Sequence, residues 1–109
     1  MAFKSAFVVM APDGDPNQHR ATVKTSKLEL TTVVIELLDF DQAVEVCRDL
    51  VQKEGVQALN LCPGFTHQAV ARIASSIGRR VPISVARGDV PSAILLNDIL
   101  VKEGWFSEE

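Results

Sequence analysis

Two residues in this 109-residue sequence combine reactive chemistry with a suggestive position, Cys62 and His67. Pro63 and Gly64 break the apolar run that ends in Leu61, and Thr66 is placed to cap a helix, so the thiol is expected between a strand end and a helix start. The positive end of a helix dipole lowers the pKa of a thiol held there and raises its thiolate fraction. His67, five residues on, would sit in the first turn of that helix, where an imidazole exchanges protons with a ligand. Each also has a plain structural reading, since cysteine packs as a small hydrophobe and an imidazole in a first turn serves as a surface group. Cys47 lies in the apolar stripe of a different helix and reads as core.

Other polar groups gather around these two if the strands run parallel, because ligands in such sheets collect outside the carboxyl ends of the strands. One loop then brings Asp13, Asp15, His19 and Arg20 to that edge, a second brings Gly64, Thr66 and His67 beside Cys62, and a third brings Arg87. Cys62, His67 and His19 are the candidate catalytic set. Asp13, Asp15, Arg20, Gly64, Thr66 and Arg87 are the candidate ligand-binding set, with the arginines and a helix N-terminus attracting a carboxylate or phosphate. Both loops are expected to line one cleft.

Several familiar chemistries are absent. Cysteine phosphatases carry an arginine six residues after the cysteine, and here that position is Gln68. Cysteine-dependent racemases share a loose likeness in Cys62, Thr66 and His67, but they need a second cysteine facing the first, and Cys47 is badly placed for that. One Cys and two His from separate loops lack zinc-site spacing, so no metal is expected. Glycine-rich dinucleotide and P-loop patterns are missing, so no cofactor is implied.

The elements that must position these residues follow from apolar periodicity. Phe3 to Ala11 is an apolar run stopped by Pro12-Asp13-Gly14-Asp15-Pro16, and reads as a first strand. Asn17 to Ser26 is polar and reads as an extended connection. Leu28 to Leu37, rich in Thr, Val and Ile, is the second strand. Asp39 with Gln42 opens a helix whose apolar residues keep i, i+3, i+4 spacing until Gly55. Val56 to Leu61 and Val81 to Ala86 are the third and fourth strands, separated by a helix from Thr66 to Gly78. Ser92 to Val101 fits a helix with Pro91 in its first turn better than a hairpin at Asn97-Asp98. The expectation is one small α/β domain over residues 1–109, with a mostly parallel four-stranded sheet and two or three covering helices.

Composition bounds the rest. The hydrophobic fraction of 47% suits a globular core, and a net charge of −3 without a basic stripe argues against nucleic-acid binding. No apolar stretch reaches the roughly 20 residues of a membrane span, and the short run after Lys4 lacks the cleavage site of a secretory signal. Two cysteines do not form a disulfide framework, which favours a cytoplasmic setting with both thiols reduced and unpaired. The apolar last helix, followed by Trp105 and Phe106, carries more apolar residues than one face needs, and predicts a homo-oligomer.

A wider resemblance runs through Phe3-Lys4 with Ala6-Phe7, Ala11-Pro12-Asp13 with Asp15-Pro16 and His19-Arg20, Cys62-x-Gly64-Phe65 with Val70-Ala71, and Val81-Pro82. With these motifs the chain resembles an uncharacterised prokaryotic family of roughly hundred-residue proteins, the size of one domain. The resemblance implies a compact α/β fold and brings no activity or catalytic residues with it. Three functions are therefore weighed. The first is a module binding a small, anionic ligand at the strand ends, the second a Cys/His-dependent isomerase- or lyase-like enzyme, and the third a structural assembly protein.

Overall fold

Nine consecutive residues, Phe3–Ala11, form the central strand β1 of the computed structural model, which describes residues 1–106. Residues 107–109, the end of the expected domain, lie outside the described residues. The other elements are β2 (Arg20–Lys24), β3 (Leu28–Glu36), α1 (Phe40–Gln52), β4 (Ala58–Leu61), α2 (His67–Ile77), β5 (Ile83–Val85) and α3 (Val90–Lys102). The strands make one sheet in the order β2-β3-β1-β4-β5. All pairs are parallel except β2 with β3, which is antiparallel.

The sheet thus has five strands where four were expected. The added one, β2, falls in the polar segment read as a connection. Its residues are exposed throughout and carry no apolar alternation strong enough to announce a strand, yet β3 offers a free edge that Arg20 to Lys24 pair with in register from Val33 to Glu29. The Thr22 and Thr31 hydroxyls, 2.8 Å apart, fix that register from the side chains. The last segment is a helix, not a hairpin.

The first two helices begin with the caps their sequences announce. Asp39 Oδ1 accepts from the Gln42 N–H at 3.0 Å, and the Gln42 side chain turns back to accept from the Glu36 N–H at 2.8 Å. Thr66 Oγ1 accepts from the Ala69 N–H at 3.1 Å. From α1, Ala43, Cys47 and Leu50 enter the core at i, i+4, i+7 spacing; from α2, Ala69 and Ile73 do so. Phe40 and Phe65 meet with ring centroids 5.9 Å apart, and Arg72 bonds Asp41 at 2.6 Å, so the two helices lie side by side.

Strand alternation decides which sheet face they cover. Val8, Val33, Leu59 and Leu61 are buried against α1 and α2, and register puts Ile83 and Val85 on the same face. Their neighbours Phe7, Val9, Leu30, Thr32 and Val34 point to the other face and are only half-buried. The third helix does not cover that face. No residue of α3 is buried, so only two helices cover the sheet.

Gly14 shows how closely the β1–β2 loop rides over the end of β3. A Cβ at that position would collide with the Ile35 carbonyl oxygen and crowd the Val34 side chain. Because the obstacle is backbone in the sheet, Gly14→Ala is expected to destabilise the chain by about 2 kcal/mol. Urea unfolding followed by far-UV circular dichroism measures this, and an unchanged midpoint would show that the loop shifts freely.

Candidate functional site

Cys62 takes its position from the end of β4. Its N–H donates to the Val8 carbonyl at 3.1 Å, which continues the sheet one residue past the strand, and Pro63-Gly64 then turn the chain towards α2. The thiol is partly exposed. It lines a cavity of about 360 Å³ at the carboxyl ends of the strands. The floor is Val9, Met10 and Leu37; the turn supplies Cys62, Pro63 and Gly64; and Leu96, Leu100, Trp105 and Phe106 form the far wall.

Gly64 belongs there for a steric reason as well, since a Cβ on it would stand 3.3 Å from Met10 Cε and 3.7 Å from Cys62 Sγ. The floor carries local strain. Leu38, next to Leu37, holds a positive φ of 62°, a region costly for a branched residue, and its N–H points at Met10 Sδ, 3.3 Å away.

The other candidate residues do not line this cavity. Thr66 is occupied in capping α2, and His67 is exposed on its first turn. Arg87 bonds Asp89 at 2.7 Å in the loop before α3, a loop that touches the turn where Gly88 approaches Pro63. Asp13 is exposed. Asp15 is a turn-former: its carboxylate accepts from the Asn17 N–H at 2.9 Å and from Gln18 Nε2 at 3.1 Å, while its own N–H donates to His19 Nδ1 at 2.9 Å.

His19 and Cys62 occupy the same end of the sheet. The His19 carbonyl accepts from Val34 N–H on β3, whereas Cys62 adjoins Val8 on β1, so three strand spacings, about 14 Å, separate their backbones. The two loops line separate cavities. Arg20 lies with Glu45, Asp49, Lys53 and Glu54 in a groove of about 290 Å³ beside α1, and its guanidinium holds Glu54 at 2.6 and 3.2 Å. Among the described residues, no three His, Cys, Asp or Glu side chains stand close enough to share a metal ion.

A family model matches residues 3–99, nearly the whole of the described chain. The chain belongs to DUF6506, a family of unknown function. No curated protein and no solved structure matches it.

The cavity of this DUF6506 chain is built mainly from apolar residues, which carry no reactive or polar group to mark them in the sequence. Val9 and Met10 pair with Val34 and Ile35 near the end of β1, and Leu37 follows β3 directly. Leu96, Leu100 and Trp105 come from the one segment whose apolar residues are spread around the helix.

The two thiols of the DUF6506 chain should separate cleanly in reactivity. Cys47 is fully buried, and desolvation pushes its pKa from 9.0 up to about 12. A disulfide-exchange reagent at pH 8 should modify Cys62 rapidly and Cys47 only after denaturant is added. Two fast equivalents would contradict the burial of Cys47. Because the folded state holds this proton more tightly, the contribution of the neutral thiol is complete below pH 9.0 and is lost as pH rises towards about 12. The stability advantage of the native chain over Cys47→Ala, roughly 1 to 2 kcal/mol at neutral pH, should shrink across that window.

Proposed function

We propose that this protein is a small, cytoplasmic, homo-oligomeric binding module that takes an apolar or amphipathic molecule at the carboxyl edge of its sheet. The observation that carries this is the cavity at Cys62, whose walls are almost wholly apolar and whose volume of about 360 Å³ falls within the range of small-molecule pockets. It lies where open parallel sheets collect ligands.

The chemistry of the walls favours an apolar group over the small anion that the loop residues suggest. The cations once available to an anion have carboxylate partners, Arg20 with Glu54 and Arg87 with Asp89. Arg20 moreover shares its groove with Glu45 and Asp49, so the local field there is unfavourable to a second negative charge. An amphipathic carboxylate remains compatible with the site if its tail enters the cavity and its head stays at the mouth, near the Arg87 loop. The Cys/His enzyme has less support, because neither His19 nor His67 lines the cavity that holds the thiol. The unpaired state of both cysteines agrees with a reducing compartment.

Trp105 is the single tryptophan of the chain and forms part of the cavity wall, which makes its emission a direct reporter. Decanoate should shift that emission to the blue in a saturable way, and inorganic phosphate at the same concentration should not. Cys62→Phe, which sets a bulky ring against the cavity, should weaken the response while leaving the fold intact. A response to phosphate would favour the anion site instead, and silence towards decanoate would overturn the apolar pocket.

A further inference from the structure

One face of the sheet is left without a covering layer, and the physical cause is the connection between β1 and β3. Parallel neighbours are normally joined by a crossover helix that packs on the sheet. Here the β1-to-β3 connection runs through the antiparallel edge strand β2, so it contributes no helix. The two helical crossovers, β3 to β4 and β4 to β5, step in the same direction along the sheet, and right-handedness puts both on one face.

The residues on the bare face are unsuited to water. Register places Phe3, Phe7 and Val9 of β1 beside Leu28, Leu30 and Val34 of β3, with Val23 of β2 continuing the surface. Of the charged residues of these three strands, Lys4, Arg20, Lys24 and Glu29 point to the opposite face, and Glu36, at the carboxyl end of β3, is the one that shares the bare face. Depletion of charge with retention of large apolar side chains is the composition of an interface core, and mostly parallel sheets are ordinarily covered on both sides.

The same chain carries an apolar helix in search of a surface. Leu96 and Leu100 of α3 line the cavity, yet Leu96 together with Ile94, Leu95, Ile99 and Val101 is more than half exposed. Its own sheet cannot use it fully. β5, from which α3 leaves, is at the edge opposite β2, so a helix folded back from there would lie over β4 and β5 and leave β3 bare.

We infer that a second copy of this chain covers the open sheet face, with the exposed flank of α3 from each protomer laid across β1 and β3 of the other. The dimensions agree: thirteen helical residues span about 20 Å, and nine-residue strands about 30 Å. The two surfaces are also continuous, because Val9 belongs to the open face and lines the cavity with Leu96. An exchange of this kind is self-complementary about a two-fold axis and closes at a dimer. It rests on the homo-oligomeric part of the function proposed above and needs no occupant in the cavity.

Light scattering after size exclusion, at micromolar concentration, should give twice the 11.9 kDa mass of the chain. Leu95→Glu with Ile99→Glu changes only exposed positions, so it should give a monomer with an unchanged circular dichroism spectrum. For the arrangement itself, Ile99→Cys chains are mixed with Thr32→Cys chains, both also carrying Cys62→Ser, and treated with a short bismaleimide. A link between the two kinds of chain is expected. A native monomer would overturn both the pairing and the homo-oligomeric reading. A native dimer that survives the two glutamates, or in which Ile99→Cys chains link only to one another, would overturn the helix-on-sheet pairing and leave oligomerisation standing.

Discussion

A parallel strand cannot be joined to its neighbour by a tight turn, and this chain meets that constraint three times in about a hundred residues. Twice it uses a helix, α1 and then α2, and once it uses the edge strand β2. The consequences reach every part of the molecule. The helical crossovers put the hydrophobic core on one face, where Val8, Val33, Leu59 and Leu61 are sealed under Ala43, Cys47, Leu50 and Ile73. The strand crossover leaves the other face open and makes its apolar residues available to something outside the chain.

Parallel direction also places the turns. β1, β3, β4 and β5 all deliver their carboxyl ends to one edge, which is where the 62–64 turn, the end of β1 and the last helix close around the cavity. Polar residues at that edge are largely spent on building the loops. Asp15 braces its own turn, Asp39 and Thr66 cap helices, and the arginines hold carboxylates. What is left to line the cavity is apolar, apart from one thiol. This follows from the demands of short connections, whose backbone N–H groups must be satisfied by nearby side chains before any are free for another task.

Apolar periodicity made most of the fold legible. The bounds of β1, the Asp39 and Thr66 caps, the stripe that buries Cys47 and the choice of helix for the last segment all appear in local sequence, because each depends on contacts within a few residues or on one face of one element. β2 was illegible for the opposite reason. An exposed edge strand is held by backbone pairing to a neighbour, and backbone hydrogen bonds leave little mark on side-chain identity.

Sequence by itself therefore determined the α/β class, the order of the main elements, the turn at Cys62 and the burial of Cys47. Tertiary structure alone decided that β2 would replace a crossover helix, that His19 and Cys62 would be separated by two intervening strands, and that α3 would stand at the strand ends with its flank bare. Helix caps and apolar stripes are written locally. Which side chains share a cavity depends on strand order, and strand order is fixed by pairings between residues far apart in the chain, whose energies no short stretch of sequence records.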